Sequence, residues 1–241
     1  MRTWTRIAVA SCLLAGHAAQ ARPTRYLKFV ELFREADRVV MARPVSNRLT
    51  KRATLPEISQ CEADGGCHPV LAQGVDTGFA VVASLKGGAI GSLVFEHFVE
   101  PPNPAPSLNA PMLVAFDPSR SGEYLLFLKC DASNRCVAAT GQVDPYGSVY
   151  ESSTVNAAIC NEVQWALERH RQTSGLYPSS LDELPESGER PASLGASAQL
   201  RWEYKRTQTG YRLHLSSVAP WEPRETEVTE SSPRAGVPHF K

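Results

Sequence analysis

Apolar residues follow two rhythms along the chain, and the rhythm changes near Ser153. Before that point they come in short runs: Val39-Val40-Met41-Ala42, Phe79-Ala80-Val81-Val82, Leu93-Val94-Phe95 with Phe98, and Tyr124-Leu125-Leu126-Phe127-Leu128. Apolar runs of this length bounded by Gly, Pro, Asn or Asp read as β-strands. The expected strands cover 38–45, 78–85, 92–99 and 123–130, with 136–139 returning from the last as a hairpin. Residues 112–116 read as a short edge strand and Lys86-Gly87-Gly88 as a turn. Leu27, Val30 and Phe33 recur at helical spacing, which predicts a helix over 24–36. The polar stretch 47–69 reads as a long loop. Closely spaced strands separated by Gly/Pro turns predict a small barrel or sandwich over 22–150.

After Ser153 the period changes. Val155, Ile159, Val163 and Leu167 step by four, with Ala166 beside them, as on one face of a helix. Gly175 is placed to end it. Ser180 is a candidate cap for a single turn that Pro185 stops. Alternating Trp202 and Tyr204, then Tyr211, Leu213 and Leu215, predict a hairpin around Thr207-Gln208-Thr209-Gly210. Residues 151–219 therefore read as a helix-plus-hairpin α+β module. The chain as a whole reads as mainly β plus α+β.

The first 21 residues have a separate pattern. Arg2 and Arg6 precede the apolar stretch Ile7–Ala15, and Ala19-Gln20-Ala21 supplies small residues at the two positions signal peptidase reads. This is the layout of a cleavable secretory signal, with a mature start near Arg22. The stretch is shorter than the roughly 20 residues of a membrane span. Val9-Ala10-Ser11-Cys12 is a competing lipobox, which would anchor the protein through Cys12. The expected compartment is periplasmic or extracellular, and no transmembrane span is expected in the mature chain.

Charge narrows the function classes. Lys plus Arg and Asp plus Glu each number 25, so the net charge is zero. Nucleic-acid binding needs a basic footprint that this balance does not supply, and no nucleic-acid partner is expected. The tail 220–241 holds four prolines among Glu, Thr and Ser and is expected to be disordered.

Export changes the reading of the cysteines. Cys12 leaves with the signal, and Cys61, Cys67, Cys130, Cys136 and Cys160 remain. In an oxidising compartment the near pairs Cys61/Cys67 and Cys130/Cys136 read as disulfides. Cys160, on the expected helix, is left as a buried thiol. A cross-pairing such as Cys67 with Cys160 stays open, because spacing does not fix connectivity.

Two stretches resemble known families. Ala36-Asp37-Arg38-Val39-Val40, the strand ending Leu85-Lys86-Gly87, and Gly122-Glu123-Tyr124-Leu125-Leu126-Phe127-Leu128 follow in the order of bacterial netrin-type and metalloproteinase-inhibitor-like domains. The resemblance implies an OB-like barrel. The inhibitors' metal-chelating N-terminal cysteine has no counterpart at Arg22. Further on, the helix ending His170-Arg171-Gln172-Thr173-Ser174, then Gly175-Leu176-Tyr177-Pro178-Ser179-Ser180-Leu181-Asp182-Glu183-Leu184 and Trp202-Glu203-Tyr204, resembles the globular part of a type II secretion pseudopilin. That resemblance implies a fold and no filament role, since the family's N-terminal hydrophobic helix is missing.

Candidate chemistry is sparse. The chain has no His-Glu-x-x-His pair, no Gly-x-Ser-x-Gly elbow and no P-loop. Cys61, Cys67 and His68 could hold a metal, but a disulfide beside a surface histidine fits the compartment better. His97 alternates with Phe95 and Val99 and is expected to face inward. His170 lies at the edge of the helix's apolar face. Glu162 and Glu168 read as helix-surface carboxylates. Trp202, Tyr204 and Tyr211 form a possible aromatic ligand platform, with core packing as the alternative. These features point to an exported non-catalytic binding protein, with no cofactor and no metal. The partner would be a protein or surface ligand. A secreted protease inhibitor and an envelope or secretion-associated assembly component are the alternatives.

Overall fold

The computed structural model describes residues 27–61, 67–100, 111–184, 201–216 and 225–232, with only the backbone for 52–61 and 67–70. The expected signal peptide with Cys12, the start of the helix expected over 24–36 and Pro185 lie outside these residues. The fold is mainly β, with one long helix. In chain order the elements are α1 (Phe29–Glu35), β1 (Arg38–Cys61), β2 (Cys67–Lys86), β3 (Ser92–Val99), β4 (Tyr124–Cys130), β5 (Arg135–Ala138), β6 (Val149–Glu151), α2 (Val155–Ser174), β7 (Arg201–Arg206), β8 (Tyr211–Ser216) and β9 (Glu225–Thr229).

The first six strands form one sheet in the order β1-β2-β3-β5-β4-β6, and β1 also pairs with β4 through Arg38–Ala42. All its pairings are antiparallel except β3 with β5. Val39–Ala42 of β1 and Leu125–Leu128 of β4 are apolar without alternation for a physical reason: both faces are covered there. Val40, Ala42, Leu126 and Leu128 pack with Phe79, Phe95 and Phe116 on the inner face. Val39, Met41, Leu125 and Phe127 pack on the other face, under α1, the first turns of α2 and Leu215. That second cluster joins residues from both expected modules, and the expected division at 150–151 falls within β6, which pairs with β4.

Lys86 holds α1 in place. Its Nζ donates to the carbonyls of Phe33 and Ala36, each at 2.6 Å, and to Arg34 at 3.2 Å, so it caps the carbonyl end of a helix only seven residues long. The next residue, Gly87, has φ 88°, and a Cβ there would lie 2.6 Å from Asp37 O. Only glycine fits this turn.

The helix α2 follows the expected period. Val155, Ile159, Val163 and Leu167 are buried, and Gly175 ends the helix with φ 83°. The first half of α2 packs on the large sheet. Its second half packs on the β7-β8-β9 sheet through Val163, Ala166 and Leu167 against Tyr211 and Leu213.

Three expectations are corrected. The loop expected over 47–69 is the distal part of β1 and β2, which pair as a ribbon out to Cys61 opposite Cys67. Three register shifts from Pro44 outward interrupt the ribbon, and their irregular spacing, with Pro44, Pro56 and Pro69, hid the strand period. The edge strand expected over 112–116 has no regular pairing; the segment is an extended strap whose Val114 and Phe116 are buried. Disorder expected over 220–241 gives way at β9, which pairs with β8 and buries its apolar content against α2 through Val228. A proline-rich tail can form a strand when a sheet edge and a helix face are already there to receive it.

The Cys130–Cys136 disulfide is formed across the β4–β5 hairpin, and Cys160 is a buried free thiol. The side chains of Cys61, Cys67 and His68 lie outside the described residues. Among the described residues, no helix is long and apolar enough to cross a membrane.

Candidate functional site

The inner face of the large sheet carries one polar row among its aromatic side chains. Register sets Asn47 opposite Thr77, and Thr77 opposite Phe95, two residues before His97. The Thr77 hydroxyl donates to Asn47 Oδ1 at 2.7 Å, and Asn47 Nδ2 donates to the Phe116 carbonyl at 2.8 Å. The single Thr77 proton is therefore used, and its oxygen, 2.8 Å from His97 Nε2, accepts the Nε2 proton. This assigns the tautomer from the network. His97 Nδ1 is then bare, 3.4 Å from the Phe98 carbonyl. The ring stacks on Phe95 and meets Phe116 edge-on, each with centroids 5.2 Å apart. Burial pushes the His97 pKa below its ordinary value, against the opposing pull of the Phe98 and Val114 backbone and the Asp76 charge. His97 faces inward as expected and is 3% exposed.

The outer face of the same strands carries a charge ladder. Asp76 accepts from Arg48 Nη2 at 2.5 Å and Arg135 Nη2 at 3.0 Å, and Arg135 also pairs with Glu96. Burial would raise the Asp76 pKa, but the two guanidinium bonds outweigh it and hold the carboxyl below its usual range. Arg48 and Arg135 thus hold the Asp76 carboxylate in a structural pairing.

The suggested aromatic platform is divided between surface and core. Tyr211 is buried, with its ring 4.9 Å from Tyr177 and 6.3 Å from Tyr204. Tyr204 is half-buried and donates to the Pro178 carbonyl at 2.8 Å; burial pushes its phenol up to about 12. Trp202 is half-buried and packs against both clusters that α2 touches. Together they pack beneath α2 and the loop after it.

A second convergence lies at the end of α2. The Tyr177 hydroxyl bonds to Glu168, and Glu230 Oε1 lies 3.1 Å from the same oxygen. Arg171 reaches Glu168 at 3.3 Å and lies over the Tyr177 ring at 5.3 Å. Glu168 was expected on the helix surface but is 6% exposed, because the tail after β9 and the Tyr177 loop close over it. Glu162 is likewise engaged, accepting from the Phe29 amide at 2.8 Å. An open cavity of about 660 Å³ adjoins, lined by Arg171, Leu176, Tyr177, Arg206 and the β7–β8 turn. Arg206 donates to the Tyr177 carbonyl at 3.0 Å. Arg171 at this end is paired with Glu168 and lies near Glu230.

His170 is half-exposed at the edge of α2, as expected. Burial pushes the Cys160 thiol up to about 12, which leaves it a poor nucleophile. Among the described residues no three His, Cys, Asp or Glu side chains gather as a metal site.

Exposed apolar side chains also gather on the described part of the β1–β2 ribbon. β3 covers β2 only at Gln73–Ala80, and β4 covers β1 only at Arg38–Ala42. Beyond these, Val45 (56% exposed), Leu49 (71%) and Leu71 (46%) face solvent among Arg43, Arg48 and Lys51.

Sequence reading found His97 but missed Asn47, Thr77 and Asp76, which are ordinary residues until register aligns them. No family model matches the chain, and neither does any curated protein.

Proposed function

We propose that this is an exported, non-catalytic binding protein that meets a protein partner through the β1–β2 ribbon. The observation that carries the reading is the ribbon itself. It extends past its sheet neighbours and presents Val45, Leu49 and Leu71 among cationic side chains. Register shifts, prolines and Lys51 blunt its strand edges against strand addition, which leaves its faces as the contact surface. Arg43 and Arg48 are already paired with Glu123 and Asp76, so the exposed apolar side chains carry the contact and favour a partner with a complementary apolar face. The polar groups gathered in the large sheet are engaged with one another, and this supports binding over catalysis.

The finer fold reading belongs to the same proposal: an OB-like barrel followed by a pilin-like module. Its support is the pairing order β1-β2-β3-β5-β4, the additional β1–β4 pairing and the parallel β3–β5 pair. The OB-like reading keeps a second function in play, inhibition of a secreted protease. Export by a cleaved signal over 1–21 completes the proposal, and the Cys130–Cys136 disulfide is consistent with it.

A photocrosslinking residue at Leu49 tests the ribbon. The expected result is a discrete protein adduct from the exported fraction, absent when the probe sits at exposed Gln172 and lost with V45S and L71S. Adducts equal at both positions, or turnover on a hydrolase or peptidase panel abolished by one point change, would overturn the reading. A stable complex with secreted metallopeptidases would select the inhibitor function.

A further inference from the structure

We propose that the strap formed by residues 111–116 is an acid-released latch, held on the inner face of the sheet through the His97–Thr77–Asn47 chain. This goes beyond the binding reading and does not depend on it.

The strap has no strand partner, so side-chain packing by Leu113, Val114 and Phe116 and a few hydrogen bonds hold it. Met112 N donates to Asp144 Oδ1 at 3.3 Å, and Met112 O accepts from Tyr146 N at 3.3 Å. At the other end Asn47 Nδ2 donates to Phe116 O at 2.8 Å. Between them Val114 and Phe116 enter the core, where Phe116 touches Phe79, Phe95, His97 and Tyr124 ring to ring. Phe116 therefore closes the aromatic interior, and the Asn47 bond that positions it is the last link of a chain beginning at His97.

The direction of that chain decides what a proton does. With Asn47 donating to Phe116, Thr77 donates to Asn47 and His97 donates to Thr77. The neutral ring then turns a bare Nδ1 toward the Phe98 carbonyl, with the Val114 backbone also close. An added proton goes to Nδ1 and creates a cation among Phe95, Phe116 and the strap. Carbonyl contacts favour that cation, but removal from water opposes it more strongly, as the downward pKa direction indicates. Lifting the strap returns water to the ring. The open state thus binds the proton more tightly than the closed one, and acid favours opening.

The charged groups around His97 do not reverse this. From β2, Asp76 favours the cation, but Arg48 of β1 and Arg135 of β5 already neutralise it. Glu96 on β3 pairs with Arg135. Tyr124 of β4 approaches through Phe116, and Asp117 beyond the strap is held by Ser119 and Arg120. Asp144 holds the far end of the strap.

Amide hydrogen exchange over 112–117, corrected for intrinsic rate, tests the latch in the full chain between about pH 7.5 and about pH 5, which spans ordinary histidine titration. Opening is expected to rise about tenfold on acidification while the β4 amides stay protected. In H97Q, which keeps a donor toward Thr77, the pH dependence is expected to disappear. A pH-independent strap in the unsubstituted protein overturns the proposal without any variant. So does a rise that persists in H97Q but vanishes in D144N, because the proton would then act at the other end. Loss of protection throughout the sheet together with the strap would also overturn it, as global unfolding.

Discussion

Glu162 on α2 accepts a 2.8 Å hydrogen bond from the backbone amide of Phe29, the first residue of α1. One carboxylate thereby satisfies an amide that a helix start leaves without a partner, and it joins segments 133 residues apart. Phe29 itself packs on Phe127 and Tyr150 of the large sheet. The bond thus locks α1 between that sheet and α2.

Replacing Glu162 by Ala is expected to destabilise the protein by about 1–2 kcal/mol, since the amide would be left part-buried without its acceptor. E162Q, which keeps an acceptor oxygen, is expected to retain most of the stability. Urea unfolding of the three proteins checks the order, and equal midpoints for E162A and the unsubstituted protein would count against the lock.

Tyr177 matters through its hydroxyl. Burial and the two carboxylates raise its pKa above the ordinary phenol value, so the group stays protonated and can donate to Glu168. Y177F is expected to cost about 1–3 kcal/mol by leaving the buried Glu168 carboxylate short of a donor. Exchange protection of β9 should fall with it, because Glu230 just beyond that strand contacts the same hydroxyl.

Asp76 sets an acid limit on stability. Its folded-state pKa is depressed below the ordinary 3.8 by Arg48 and Arg135 despite burial. Its contribution is therefore complete above about 3.8, the unfolded value, and is lost as pH falls through the lower folded value. The thermal midpoint of D76N is expected to fall less steeply with acid than that of the unsubstituted protein. Parallel curves over that window would remove Asp76 from the account.

The cysteines make opposite predictions. With its thiol pushed up to about 12, Cys160 should be unreactive to a thiol reagent in the folded protein and react on unfolding. Because the folded pKa is raised from 9.0, this thiol's contribution to stability is present below about pH 9 and is lost as pH rises further. Removing the Cys130–Cys136 bridge with a paired serine substitution should cost about 2 kcal/mol, from the short loop it closes. Chemical unfolding measures the cost, and quantitative thiol counting checks Cys160.

Legibility followed the range of the forces involved. The strand cores of β1 to β5 and the period of α2 were readable because neighbours in sequence carry them: Val39 to Ala42 as a run, Val155 to Leu167 as a stripe. The distal β1–β2 ribbon was not, because register shifts break its alternation. Of the candidate side chains, His97 was found by its place between Phe95 and Val99, but nothing local marks Thr77 or Asn47 as its partners. Glu168 was misplaced on the surface because the group that covers it, Tyr177, lies nine residues on and past the helix end.

By itself the sequence determined the strand cores of β1 to β5, β7 and β8, the long helix, the Gly87 and Gly175 turns, and Cys130 and Cys136 as a near pair able to bridge. All of these rest on periodicity, local backbone sterics or a short loop. Tertiary structure alone decided that both faces of Val39–Ala42 in β1 and of Leu125–Leu128 in β4 are covered, that α2 is shared between two sheets, and that β9 forms from a proline-rich tail. It also placed Asn47, Thr77 and His97 in one row. Each of these depends on which strand lies beside which, and that is set by burying all the apolar faces at once.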